Sequence, residues 1–96
     1  MSRQKLSEQE ITAGLGKLPG WSYESGKLRR VFVCRDLVHA FGFMSSVALA
    51  AEALNHHPDW SNAWNKVTIE LVTHSSGGVT EMDLKLATKI QEIFGA

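Results

Sequence analysis

Apolar residues along the chain follow two rhythms, one helical and one alternating, and they change over at turn-forming residues. Ser7-Glu8-Gln9-Glu10 is a capping box, and Ile11, Leu15 and Leu18 follow it at helical spacing, which predicts a short helix closed near Gly16 to Gly20. Residues 21–25 and 28–35 are β-rich runs separated by Gly26-Lys27, and in the second Val31 and Val33 alternate with Leu28, Phe32 and Cys34. They predict a hairpin. Asp36 is placed to cap the next element, where Leu37, Phe41, Met44, Val47, Ala48, Ala51 and Leu54 form the stripe of a long central helix. Gly42 inside it costs about 1 kcal/mol relative to alanine, which implies a close neighbour over the backbone there.

Pro58 has no amide proton and biases His57 away from helical angles, so the helix is predicted to stop around Asn55 with His56-His57 at its exit. Residues 59–64 and 67–73 then read as two strands around an Asn65-Lys66 loop. In that register Trp64 faces Val67 and Trp60 faces Leu71, so both indoles join Val67, Ile69 and Leu71 on one apolar surface, with Ser61, Thr68 and Glu70 on the other. Ser75-Ser76-Gly77-Gly78 is a loop, and Thr80 begins a last helix with Met82, Leu86, Ile90 and Ile93 towards the core. The order is α-β-β-α-β-β-α. No connection is long enough to make the strands parallel, so the expected class is α+β: a four-stranded antiparallel sheet with helices packed on one face, in one domain over residues 1–96.

Charge and cysteine content narrow the range of functions. Ten basic residues balance ten acidic ones, leaving no net positive field to draw a polyanion, so direct nucleic-acid binding is not expected. Cys34 stands alone, which rules out an internal disulfide and a cysteine-based zinc cluster and suits a reducing compartment. The first ten residues hold no apolar signal segment, and the uncharged stretch 37–51 falls short of the ~20 residues of a membrane span. A cytoplasmic, soluble protein without a membrane role is expected.

Chemistry gathers at the histidines. His56 and His57 lie where the central helix gives way to a strand, and His74 where the last strand gives way to a loop, positions at which scaffolds hold reactive groups. Taken singly, each would be an ordinary surface histidine. Together they offer imidazoles able to donate or accept a proton at neutral pH. Adjacent histidines on extended backbone point apart, and no His-x-x-x-His pair is present, so no metal is expected. If the helix persists to His56, Glu52 stacks on it and orients the imidazole. Asp83 is the third residue after Thr80 and completes a second capping box, a sufficient structural role that leaves room for another. His39 has no visible partner and is placed on the surface, outside the site.

Glu52, His56-His57-Pro58, Trp64, His74 and Asp83, at these separations, resemble the signature of the pterin-4a-carbinolamine dehydratases. The segments 40–44, Asp59-Trp60 and Asn65-Lys66-Val67 are also similar to family sequence, and the likeness runs from about residue 18 to residue 93. The resemblance implies an enzyme that removes water from a 4a-hydroxytetrahydropterin to give the quinonoid dihydropterin, which a reductase recycles for aromatic amino acid hydroxylation, with no cofactor. It implies catalytic roles for His56, His57 and His74, with acid and base unassigned among them. It further implies a substrate border of Pro58, Thr73, Ser75 and Ser76, and support from Glu52 and Asp83. Asn55 stands where an acidic residue often precedes the histidine pair in the family, and Ser75-Ser76 replaces the Glu-Cys pair of animal members. Relatives form dimers or tetramers, so a homodimer or homotetramer is expected. Some animal relatives act as dimerisation cofactors of a transcription factor, which leaves a non-enzymatic partner role as the alternative.

Overall fold

The computed structural model describes residues 3–95, so Met1, Ser2 and Ala96 of the expected 1–96 domain lie outside the described residues. The Ser7 hydroxyl accepts from the Glu10 amide at 3.1 Å while Glu10 accepts from the Ser7 amide at 2.8 Å, and this reciprocal pair starts helix α1, Glu8–Leu15. Strands β1, Ser22–Glu24, and β2, Lys27–Val33, follow as a hairpin. Ser25 and Gly26 turn it with φ of 52° and 80°, the positive values that let a two-residue turn match the strand twist. Helix α2, Leu37–Leu54, starts where the Asp36 carboxylate accepts from the His39 amide. Strands β3, Asp59–Ala63, and β4, Lys66–Leu71, lead through a single 3₁₀ turn, His74–Ser76, into helix α3, Glu81–Phe94. This is the predicted α-β-β-α-β-β-α order.

The sheet runs β1-β2-β4-β3, with every neighbouring pair antiparallel. Leu28 pairs with Leu71 and Phe32 with Val67, so alternation puts these residues and Ile69 on one face, where all are buried. Ile11, Val47, Leu86 and Ile90 from the three helices close over that face as one core. Phe32 is its centre. Its ring lies 4.9 Å from those of Phe43 and Phe94 and 5.8 Å from that of Trp21.

Two expectations are corrected here. The β3–β4 register pairs Trp60 with Ile69 and Ala63 with Lys66, so the turn is Trp64-Asn65, and Trp64 is an exposed turn residue with φ 53° that takes no part in the apolar face. Side-chain hydrogen bonds decide this. The Asn62 amide donates to the carbonyls of Trp64 and Lys66, and the Asn65 amide donates to Cys34 O at the end of β2. Trp60 stays on the inner face because the pairing moves by two residues, which preserves alternation.

The apolar stripe of α2 is also turned. Ala40, Phe43, Val47 and Ala51 are buried, whereas Leu37 and Phe41 are exposed. Positions 41 and 43 are about 200° apart on a helix and cannot both face the core. Phe43, which meets Phe32 and Phe94, takes the inner side. Nothing lies within 4 Å of a Cβ built on Gly42, so the expected close neighbour is not found within the chain. α2 is therefore apolar on both sides: with a mean hydropathy of 1.5 it is long and apolar enough to cross a membrane, yet its inner face is packed into the core. Val38, Phe41 and Leu49 are left exposed on the other side.

Candidate active site

α2 ends at Asn55, whose left-handed backbone (φ 50°, ψ 44°) reverses the chain while the His56 amide donates back to Ala51 O. Because the helix stops one residue short of His56, Glu52 does not stack on it. His56 turns inward and is buried, whereas Glu52 accepts from Nε2 of the outward-facing His57. The predicted helper is real but belongs to the neighbouring histidine.

His56 Nε2 lies 2.5 Å from Asp83 Oδ1, and Asp83 is fully buried. Its other oxygen accepts from the Thr80 amide at 2.8 Å and from the Thr73 hydroxyl at 2.9 Å. Having spent its proton there, the Thr73 hydroxyl accepts from that of Thr80, 2.7 Å away. The capping carboxylate of α3 thus also holds an imidazole from the end of α2. Both roles open to Asp83 are filled at once.

His74 begins the 3₁₀ turn after β4, which is closed by Gly77 at φ 74° and by the Thr73–Gly78 bridge. Its Nε2 is 3.1 Å from Asp59 Oδ2, an oxygen that also accepts from Lys27 Nζ at 3.3 Å. Every one of the three imidazoles therefore has a carboxylate partner on a different element. Imidazoles oriented by carboxylates are suited to exchanging protons with a ligand held between them.

His56, His57 and His74 line one open cavity of about 220 Å³. Thr73 and Ser75 of the predicted border share its wall, joined by Asn55, Val72 and Arg3. Pro58 and Ser76 stand beside it without lining it, and the Ser76 hydroxyl donates to the Arg3 carbonyl. Glu52 and Asp83 lie behind the histidines they hold. Among the described residues no three His, Cys, Asp or Glu side chains converge as ligands for one metal ion.

Two residues of the site escaped the sequence reading. Asp59 was read as a strand residue and, with Trp60, as similar to family sequence, but was given no place in the site, although its position beside Pro58 was a usable signal. Arg3 reaches the site across 52 positions of sequence and carried none. His39 lies off the site, as expected, but it has a partner: Asp36 Oδ1 accepts from its amide at 2.8 Å and sits 2.7 Å from its Nδ1. The larger groove, about 560 Å³ between α2 and the end of α3, holds His39 and none of the other three histidines.

The family pattern described as pterin 4 alpha carbinolamine dehydratase matches residues 4–93. The chain belongs to that family. By that membership it is a hydro-lyase. Among pterin-4a-carbinolamine dehydratase relatives, one from Solibacter usitatus is 48% identical over 89 residues, covering 93% of this chain and 94% of its own. Another, from Mesorhizobium japonicum, is 48% identical over 97 aligned positions and 99% of each chain. Both carry the dehydratase name provisionally. A crystal structure from Brucella melitensis, described as a transcriptional coactivator/pterin dehydratase, superposes with a TM-score of 0.92 at 46% identity, covering 96% of this chain and all of that one.

Proposed function

We propose that this chain dehydrates 4a-hydroxytetrahydrobiopterin (pterin-4a-carbinolamine) to quinonoid dihydropterin and water by histidine acid/base catalysis, within tetrahydrobiopterin recycling. The observation that carries the reading is the cavity walled by three imidazoles, each braced by its own carboxylate. In the reaction the C4a–O bond breaks as an imidazolium gives its proton to the departing hydroxyl. N5 gives its proton to a neutral imidazole, and the electron pair left behind forms the C4a=N5 bond. His57 and His74, with 56% and 71% of their side chains exposed, keep for these transfers the ring nitrogen that their carboxylates do not hold. His56 has its Nε2 committed to buried Asp83 and fixes the wall against which the ring lies. Thr73 and Ser75 border the ring; Pro58 and Ser76 shape the backbone beside it.

The test is direct. Chelator-treated protein is given 4a-hydroxytetrahydropterin, and quinonoid dihydropterin is followed by absorbance. His57→Ala and His74→Ala should each lower kcat by about 10²–10⁴ with unchanged far-ultraviolet circular dichroism, the usual contribution of a positioned acid or base. No acceleration by the wild type over spontaneous water loss sinks the proposal. Activity lost on chelation would instead require a metal.

The proposal extends to a cytoplasmic homodimer or homotetramer joined through the outer face of α2. Val38, Phe41 and Leu49 are 78%, 66% and 75% exposed there, and contiguous exposed apolar side chains on one face are the kind of surface that associates. Phe41→Glu should yield monomers in sedimentation velocity, and an unchanged sedimentation coefficient would reject that face. The description of the Brucella structure supports a second reading, a coactivator role in which a transcription-factor partner docks on the same face. Phe41→Glu would then abolish partner capture and leave dehydration intact.

A further inference from the structure

The N-terminal segment is fastened along the turn that carries His74. Leu6 N donates to Val79 O at 2.8 Å, the Ser76 hydroxyl donates to Arg3 O, and a Cβ on Gly78 would come within 2.8 Å of the Lys5 side chain. Glycine at 78 is what lets the segment lie this close. These contacts deliver the Arg3 guanidinium to the histidine cavity, where Nη2 donates to Asn55 O at 3.2 Å. That carbonyl belongs to the C-cap of α2, a natural acceptor for a cation.

Among the described residues Arg3 is the one permanently charged residue on the cavity wall, since Asp59, Glu52 and Asp83 stand behind the imidazoles and do not line it. A guanidinium carries five donors in a planar fork and no acceptor. With one N–H on Asn55, the fork presents donors to a ligand that offers acceptors in the plane of a ring. A pterin does so at its C4 carbonyl oxygen, whose lone pairs lie in the plane of the ring.

We infer that Arg3 is a substrate-binding residue, hydrogen-bonding the carbonyl edge of the pterin and so setting which way round the ring lies between His57 and His74. Arg3 falls outside the stretch that matches the family pattern, residues 4–93, so the family does not assign it this role. The inference rests on the proposed reaction for its ligand. It also says which kinetic constant moves. The hydrogen bond to the C4 carbonyl is already formed in the bound substrate and involves none of the atoms whose bonds change at C4a and N5. Arg3 therefore contributes to binding in the ground and transition states alike, which lowers KM and leaves kcat alone.

The experiment uses the full chain with a C-terminal affinity tag, which keeps the tag away from residue 3. Binding of 7,8-dihydrobiopterin is measured by isothermal titration for the wild type, Arg3→Ala and Arg3→Lys, beside kcat and KM for the carbinolamine. Arg3→Ala should weaken binding and raise KM by about tenfold, the scale of one partly exposed charge-assisted hydrogen bond. kcat should stay within twofold. Arg3→Lys, which keeps the charge without the fork, should fall between. Millimolar guanidinium should restore binding to Arg3→Ala, which a role confined to tethering the segment would not produce. A Kd and KM within twofold of wild type in Arg3→Ala, or a fall in kcat at constant KM, overturns the inference. A wild type that binds the pterin without dehydrating it sinks the proposed reaction and leaves the Kd comparison standing. A wild type that does not bind overturns both.

Discussion

Replacing Asp83 probes the residue on which the end of α2, the turn before α3 and the α3 cap all depend. In Asp83→Ala the capping bond to the Thr80 amide goes, a loss of about 1 kcal/mol. Two buried donors, the Thr73 hydroxyl and His56 Nε2, lose their acceptor as well, at about 1–3 kcal/mol each. Together the expected cost is about 3–7 kcal/mol. Because a domain of this kind has about 5–15 kcal/mol in total, Asp83→Ala should be marginally folded, with Tm lower by roughly 15 °C or more. Asp83→Asn is the finer perturbation. Its oxygen still serves the Thr80 amide and the Thr73 hydroxyl, while its NH₂ now faces His56 Nε2, which must become an acceptor. The cost should be about 1–2 kcal/mol, and the His56 tautomer should change. Urea unfolding followed by tryptophan fluorescence gives the first quantity, provided the slope with denaturant is unchanged. Long-range ¹H–¹⁵N NMR of the imidazole gives the second. Asp83→Ala within 1 kcal/mol of wild type, or Asp83→Asn with the wild-type tautomer, would refute the reasoning.

The core makes an independent prediction: Phe32→Ala, which empties the centre of the aromatic cluster, should cost about 3–5 kcal/mol in the same titration, and a loss below 1 would mean the neighbouring rings collapse into the space. Asp36 is held below the ordinary carboxylate range chiefly by the His39 amide and then by the His39 side chain. Its contribution is present above the unfolded pKa, about 3.9, and is lost as pH falls through the folded value. Tm measured from pH 6 to pH 2 should therefore fall more steeply for wild type than for Asp36→Asn, and parallel curves would reject the assignment. Burial first, and then Asp36, push the Cys34 thiol up. Iodoacetamide at pH 8 should alkylate it more slowly than free cysteine, with Asp36→Asn faster than wild type, and equal rates would show that the thiolate is not suppressed.

Local chemistry was legible in the sequence wherever a few neighbouring residues decide it. The boxes at Ser7 and Thr80, the Asp36 cap and the stop imposed by Pro58 each act within one turn of chain, and each was found where expected. The face of α2 was not legible, because that helix is apolar on two sides and periodicity admits more than one solution. The ring contacts of Phe43 select among them. Trp64 has the composition of a strand residue, and only the side-chain bonds of Asn62 and Asn65 place it in the turn. At the site, titratable residue types picked out the three histidines. Their partners could not be ordered, because a single left-handed residue at Asn55 hands Glu52 from one imidazole to the next.

The bond between His56 and Asp83 joins positions 27 apart, and that between Arg3 and Asn55 joins positions 52 apart. A chain leaving the ribosome holds α2 and both histidines of its exit well before Asp83 has been made. The cavity wall therefore closes only when the loops that separate its parts have been drawn together. Recovery of pterin binding in a refolding experiment consequently reports arrival at the finished molecule. Helical circular dichroism, to which α2 contributes through contacts within its own turns, does not require that closure.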